Sequence, residues 1–382
     1  MKTIGIICEY NPLHNGHKKQ LDHIRAVNGP DCAIVCLMSG NYVQRGHPAI
    51  IDKQARAKAA VLCGADLVLE LPVTASLSSA EGFAAEGVRI LSPICDSLCF
   101  GAETAQTDLL MNAAEYLLST TFSQQLRAEL KNGVSFPAAR QAALESAGMD
   151  GSLLSSPNNI LAVEYYKAIL SQNSSMNIML ICREGNYHDP VANMENPSAT
   201  AVRSLMLEGK PWQPYIPQEA LAAFENATHH TLAAGERAIL ARLRYMTESD
   251  FEALPYSSEG LWRKLMHAVN QYANLEEIIA AVKSKRYTRT RIDRMILCAY
   301  LGITQELLTR HAPYVRVLAL NSKGGRILKT ARKSEEFINI GQPSTHPYQA
   351  LENKWGSLYG LFAMGSPDAA NAESGYRVFC CE

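Results

Sequence analysis

The apolar run Ile4-Gly5-Ile6-Ile7-Cys8 leads at once into Glu9-Tyr10-Asn11-Pro12-Leu13-His14-Asn15-Gly16-His17, and then into a segment with helical spacing. That order of strand, tight turn and helix limits most severely what the chain can become. A strand feeding directly into a helix is the first half of a βαβ unit, and such units build parallel sheets covered by helices. In an open sheet of that kind, ligands bind beyond the carboxyl ends of the strands. A helix start there offers unpaired N–H groups and partial positive charge, both suited to phosphate. Two imidazoles in that place can donate hydrogen bonds as charge develops on phosphate oxygens. Gly16 lets the backbone approach closely, and Pro12 fixes the turn before it. A single histidine at a helix start is ordinarily a cap or a surface residue. His-x-Gly-His directly after the first strand points instead to a nucleotide site.

The pattern continues. A helix is expected over His17–Val27, with Leu21, Ile24 and Val27 on one face and Asn28-Gly29-Pro30 ending it. Cys32–Met38 is a continuous apolar run and reads as a buried parallel strand. Further strands are expected at Leu67–Pro72, Cys95–Phe100 and Asn177–Cys182. The polar loop Ser39–Gly46 falls on the same sheet edge as the histidines and reads as a substrate loop. Gly101 ends the fourth strand where a base or ribose could lie against the backbone. Thr107–Ala147 reads as an inserted helical stretch with a break near Asn132-Gly133. Pro157-Asn158-Asn159 opens another helix, and two adjacent amides exceed what a cap needs. Ser198, Thr200 and Arg203 mark a second anion-ready helix start.

After Gly209-Lys210-Pro211 the character changes to mostly helical. The segment Lys283–Arg294 holds six basic residues in twelve, with Tyr287 among them. The plain reading is a solvated helix face; the alternative is a nucleic-acid contact with an aromatic available for stacking. The net charge is −1, so such a cluster stands out against the whole. Tyr314–Leu320 reads as a strand and Ser322–Arg326 as a flexible basic loop.

Nothing approaches the roughly 18 consecutive apolar residues of a membrane span. Met1-Lys2-Thr3-Ile4 runs straight into a strand without a leader-like stretch, and most of the ten cysteines sit in apolar runs. A cytoplasmic protein in a reducing compartment is therefore expected. Cys32/Cys36 and Cys95/Cys99 have a loose metal-like spacing. In strands that spacing places both side chains on one buried face, so no metal centre is expected there.

Taken together, Glu9–His17, Met38–Gly46, Gly64–Pro72, Pro157–Leu161, Ser198–Arg203 and Lys285–Thr288 resemble the bacterial tRNA(Met) cytidine acetate ligase family. That family falls within the His-x-Gly-His nucleotidylyltransferase superfamily. Leu13 stands where the family usually has Phe, and Arg183–Asp189 matches its counterpart loosely.

The resemblance implies an α/β protein: a Rossmann-like parallel-sheet nucleotidylyltransferase domain over residues 1–209 and a mostly helical tRNA-binding domain over residues 210–382. It implies ATP-dependent activation of acetate as acetyl-adenylate with release of pyrophosphate. The acetyl group would then pass to N4 of the wobble cytidine (position 34) of elongator tRNA(Met). His14 and His17 would stabilise the α-phosphate transition state. Ile7, Cys8 and the stretch Glu9-Tyr10-Asn11-Pro12-Leu13-His14-Asn15-Gly16-His17-Lys18-Lys19-Gln20 would cradle ATP. Gly101, Asn158 or Asn159, Arg183, Ser198, Thr200 and Arg203 would complete the site. Lys283, Lys285, Arg286, Tyr287, Arg289 and Arg291, with Lys323 and Arg326, would hold tRNA. Mg²⁺ is expected on the nucleotide phosphates, with no residue assigned to it. Two other readings compete: an adenylyltransferase acting on a small phosphorylated cofactor precursor, and a non-catalytic RNA-binding protein. The basic helical half disfavours the first, and the intact histidine pair disfavours the second.

Overall fold

The architecture follows from how the apolar runs alternate. The structure, a computed structural model, describes residues 1–182, 197–331, 338–339, 346–367, 373 and 377–381. The strands are β1 (Thr3–Cys8), β2 (Ala33–Ser39), β3 (Tyr42–Val43), β4 (His47–Pro48), β5 (Leu67–Leu71), β6 (Ser97–Ala102), β7 (Asn177–Cys182), β8 (Val315–Leu320), β9 (Ile338–Asn339) and β10 (Phe379–Cys380). The main sheet runs β10-β8-β5-β2-β1-β6-β7, with β9 beside β8. Strand β2 is buried along its whole length. Ala33, Val35 and Leu37 face one core, and Ile34, Cys36 and Met38 face the other. A strand covered on both faces has no polar positions to alternate with, which is why it reads as an unbroken apolar run.

Helices α1 (Asn15–Asn28) and α2 (Lys53–Leu62) cover one face. The other face carries α4 (Ala80–Leu91), α5 (Thr107–Leu118) and α8 (Pro157–Ser171). A short α3 (Val73–Ser76) precedes α4, and the inserted stretch resolves into α5, α6 (Thr120–Lys131) and α7 (Phe136–Ser146). The chain enters α9 (Ala199–Leu207) after β7. β1 pairs with β2 on one side and β6 on the other, all parallel. Successive strands run outward from β1 through β2 to β5, then return to β1's other side at β6. The strand order therefore reverses between β1 and β6, the place where such sheets open a crevice.

Beyond residue 210 come α10 (Gln218–Phe224), α11 (Glu236–Tyr245), α12 (Glu248–Glu252), α13 (Leu261–Gln271), α14 (Leu275–Val282), α15 (Arg289–Leu301) and α16 (Gln305–Thr309). Most of them close a separate core around Leu265, Ile279, Ile296 and Trp355. This half also returns to the sheet. β8 pairs antiparallel with β5, and β10 pairs with β8. An uncovered β5 would leave an apolar edge open, and the run Val315–Leu320 closes it. Because β8 runs antiparallel, α17 (Ser322–Ala331) starts at the amino edge of the sheet. The segment expected as a flexible basic loop is thus the first turn of a packed helix. A Cβ on Gly324 would lie 2.1 Å from the Asp66 carbonyl oxygen, so the turn presses on the backbone just before β5. A last helix, α18 (Pro347–Tyr359), joins the helical core.

Where the two halves meet, charge is buried. Lys53 Nζ lies 2.8 Å from Glu70 and 2.8 Å from Glu373. Arg316 pairs with Glu373 at 2.6 Å and approaches Glu352 at 3.8 Å. Burial and the neighbouring Glu70 push Glu352 up to about 7, against the pull of Arg316 and a hydrogen bond from the Tyr314 hydroxyl. A raised folded-state value means Glu352 binds its proton more tightly in the folded chain. Its contribution to stability is complete below the usual carboxylate range and is lost as pH rises through about 7. Denaturant titrations from pH 5 to 8 should show wild type losing about 1–3 kcal/mol relative to Glu352→Gln across that window. Parallel curves for the two proteins would contradict the assignment.

Candidate nucleotide site

His14 is the N-cap of α1. Its Nδ1 accepts a hydrogen bond from the Gly16 N–H at 3.2 Å. His17, three positions on, returns the arrangement: its Nδ1 accepts from the His14 N–H at 3.3 Å. This is a capping box built from two imidazoles. The rings stack with centroids 3.7 Å apart, and Tyr10 closes on His17 at 4.9 Å. The caps set the chemistry. A neutral imidazole that accepts at Nδ1 carries its proton on Nε2. Both histidines are therefore held as Nε2–H donors at the positive end of a helix.

The preceding turn is fixed from several directions. The Asn11–Pro12 peptide is cis, and Tyr10 sits at φ +45°. Tyr10 and Leu13 point into the core, and the Asn11 side-chain oxygen accepts from the Ile50 N–H at 2.8 Å. Of the residues expected to cradle ATP, these hold the turn in place rather than offer side chains to a ligand. The Cys8 thiol and Tyr10 hydroxyl are held protonated by burial. Asn15 donates to the Pro214 carbonyl at 3.0 Å, Lys18 pairs with Asp22, and Gln20 reaches Cys99 Sγ at 3.8 Å. Lys19 is exposed.

Arg56 was not legible as a site residue. Its guanidinium is completely buried, and burial lowers its pKa. It donates to the carbonyls of Glu9 at 2.6 Å, Ser39 at 3.0 Å and Ile51 at 2.8 Å, and to that of Gly40. One side chain thus ties the ends of β1 and β2 together. The Ser39–Gly46 loop is likewise fixed: the Asn41 side-chain oxygen accepts from the Lys53 N–H at 3.0 Å, and β3 and β4 form a hairpin. Gly46, at φ +81°, lies so close to α15 that a Cβ would come within 2.5 Å of the Arg294 nitrogen.

On the other side of the crevice, Gly101 lies in β6. Asn159 is buried, and its side-chain oxygen accepts from the N–H groups of Glu103 at 2.9 Å and Thr104 at 3.2 Å. Glu103 answers by accepting from the Asn159 N–H at 2.8 Å and the Asn158 side-chain amide at 2.7 Å. The two amides therefore shape the loop after Gly101. The second motif meets the first. Ser198 caps α9 by accepting from the Ala201 N–H at 3.0 Å. Arg203 donates to the Asn11 carbonyl at 2.6 Å and to Thr200 Oγ1 at 3.0 Å. A Cβ on Gly16 would lie 4.0 Å from the Pro197 carbonyl, so the two helix starts adjoin. Arg183 lies outside the described residues.

The expected RNA contacts divide. Tyr287 is buried, donates to the Glu259 carbonyl at 2.6 Å and lies against Arg291, so it has no face to stack on a base. Arg289 pairs with Glu276 and Asp293, and Arg291 with Glu259 and the Tyr256 carbonyl. Arg286 pairs with Glu259 at 2.9 Å but stays well exposed. Lys283 and Lys285 are exposed, beside the exposed Lys264 and Arg263 of α13. Lys323 donates to the Pro30 carbonyl at the amino edge of the sheet, and Arg326 follows on the same helix. Both stand on the edge opposite the histidines, because β8 returns antiparallel. Replacing Arg56 by Met should lower the unfolding free energy by about 3 kcal/mol or more, since several buried carbonyls lose their donor. A denaturant midpoint within error of wild type would contradict this.

Residues 1–368 match the profile of a family described as HIGH Nucleotidyl Transferase. The tRNA(Met) cytidine acetate ligase of Clostridium novyi is 36% identical over 365 residues, covering 90% of this chain and 91% of the relative. That of Thermosipho melanesiensis is 34% identical over 367 residues, covering 91% and 85%. The apo crystal structure of Thermotoga maritima TmcAL superposes with a TM-score of 0.91 at 29% identity, with both chains covered completely. The same protein bound with alpha-thio ATP superposes with a TM-score of 0.88 at 28% identity, also over both complete chains.

Proposed function

We propose that this chain, which belongs to the tRNA(Met) cytidine acetate ligase family of HIGH nucleotidyl transferases, activates acetate with ATP and acetylates the N4 amine of wobble cytidine 34 in elongator tRNA(Met). The observation that carries the reading is the pair of adjoining helix starts at the β1/β6 crevice, with both histidines set as Nε2–H donors. The neighbour that holds an ATP analogue supports the same choice of nucleotide.

Acetate attacks the α-phosphorus, and pyrophosphate leaves. The reaction gains mainly from positioning and from stabilising charge on the phosphate oxygens. His14 and His17 donate to those oxygens, and the start of α9 faces the leaving phosphates. The Gly101 backbone, shaped by Asn159 and Glu103, receives the nucleoside. Among the described residues no group of three His, Cys, Asp or Glu side chains is arranged to hold a metal ion. Mg²⁺ bound with the nucleotide would neutralise phosphate charge there, and no residue of the chain is assigned to it. The tRNA meets the exposed Lys283, Lys285 and Arg286 corner of the helical half, residues 210–382, while residues 1–209 supply most of the catalytic half. Among the described residues no helix is long and apolar enough to cross a membrane, and a tRNA substrate would place the reaction in the cytoplasm.

The test combines the protein with ATP, labelled acetate and tRNA. Acetate-dependent pyrophosphate release and label in tRNA(Met), abolished when cytidine 34 is replaced, are expected. Neither label in tRNA nor acetate-dependent pyrophosphate release would overturn the reading. His14→Asn separates the two roles of that residue, because the Asn oxygen keeps the cap while the Nε2 donor is lost. Pyrophosphate release should fall about 10²–10³-fold, with stability held within about 1 kcal/mol. An unchanged rate would remove His14 from the chemistry. Lys283→Glu with Lys285→Glu should raise the KM for tRNA about tenfold or more and leave acetate-dependent pyrophosphate release unchanged. A KM equal to wild type would move the RNA contact elsewhere.

A further inference from the structure

The transfer half of the proposed reaction needs a proton acceptor. When the cytidine N4 attacks the acetyl carbonyl, a C–N bond forms and the C–O bond to the phosphate breaks. AMP leaves with that electron pair on its phosphate oxygen, and N4 must shed a proton. The histidines are poorly placed to take it. Both Nδ1 atoms already accept backbone N–H groups, and both Nε2 atoms carry hydrogen.

Among the described residues near the carboxyl ends of β1, β2 and β6, most other ionisable groups are committed. Both oxygens of Glu103 accept amides from the start of α8. Asp52 caps α2 by accepting from the Gln54 and Ala55 N–H groups at 2.8 and 3.0 Å. Tyr10 is buried with its hydroxyl on Cys36 Sγ, and the half-buried Cys8 thiol is held protonated, chiefly by desolvation. Arg56 and Arg203 are donors already engaged with carbonyls.

Glu9 remains. It is the first residue after β1, half-buried, and five positions before His14. Its backbone is held by Arg56 through its carbonyl. Its Oε1 accepts from the Gln44 N–H at 2.8 Å, and its side chain accepts no other hydrogen bond from the described residues. Gln44 belongs to the β3–β4 hairpin, which packs on the start of α15 in the helical half. The carboxylate is thus aimed from the nucleotide turn toward the hairpin that adjoins the helical half, the half proposed above to bind tRNA. Its charge is out of place in a site that must hold ATP and acetate, both anions. It is suited to a step in which the incoming group is an amine.

Resting on the reading of the site given above, we infer that Glu9 is the general base of the transfer step, taking the N4 proton on Oε2 while Gln44 holds Oε1. The proton then passes to water when AMP departs. Glu9 takes no proton in the attack of acetate on ATP, so its substitution slows transfer more than it slows that first half-reaction.

Glu9→Gln keeps an acceptor for the Gln44 N–H and removes the basicity. Two measurements are made: acetate-dependent pyrophosphate release, and single-turnover transfer from synthetic acetyl-adenylate to tRNA(Met). Glu9 also lies in the stretch expected to cradle ATP, so the readout is the ratio of the two half-reactions: pyrophosphate release should fall at least about tenfold less than transfer, and tRNA affinity by filter binding should be unchanged. Transfer should fall about 10²-fold or more. Transfer within threefold of wild type, or an equal fall in both half-reactions, overturns the inference. Should Glu9→Gln not fold, Glu9→Asp serves: its shorter carboxylate must slow transfer at least about tenfold more than pyrophosphate release, and equal slowing overturns the inference. If wild type itself transfers no acetyl group, the proposed function fails, and that result is distinct from a variant that transfers normally.

Discussion

The buried guanidinium of Arg56 is the interaction on which the site depends. A parallel sheet leaves its strand ends with carbonyls that have no ladder partner, and here those ends converge away from water. Arg56 supplies donors to Glu9, Ser39, Gly40 and Ile51 from the centre of the cluster. A planar fork of fixed donors does this where a lysine could not. The turn carrying the histidines and the loop leading to the helical half are thereby set relative to each other. Preorganisation of this kind is what lets hydrogen-bond donors stabilise a transition state without moving first.

The same economy governs the histidines. Their Nδ1 atoms do structural work at the start of α1, and that work dictates which nitrogen bears hydrogen. One arrangement can serve as cap and as phosphate donor, so the observed capping by His14 does not compete with the catalytic role proposed for it. Asn158, Asn159 and Glu103 show a related logic on the β6 side. Their amides and carboxylate are spent on each other, and what they leave exposed to a ligand is a shaped backbone.

Much of this was legible in the sequence. The parallel strands announced themselves as unbroken apolar runs because both faces are covered, and Cys32–Met38 is the plainest case. The histidine pair was legible because strand, turn and helix are contiguous. Arg56 was not, since the strand-end carbonyls it ties together, those of Glu9, Ser39 and Gly40, lie 16 to 47 positions away. Tyr287 read as a stacking residue because composition cannot show that the Glu259 loop closes over it. Lys323 and Arg326 read as a basic loop because the antiparallel return of β8, which carries them to the far edge, is a long-range event. Charge density along the chain overstated the unpaired basic surface: much of it is paired with Glu259, Glu276 and Asp293.

The central claim is geometric: a nucleotide in the β1/β6 crevice with both Nε2–H groups on its α-phosphate. A crystal structure with the non-hydrolysable analogue of acetyl-adenylate, acetyl-sulfamoyl adenosine, tests it most directly. The account predicts the sulfamoyl oxygens at about 2.7–3.1 Å from Nε2 of His14 and His17, with both Nδ1 caps intact and the ribose beside Gly101. A nucleotide bound elsewhere, or imidazoles turned so that Nδ1 faces the sulfamoyl group, would contradict it.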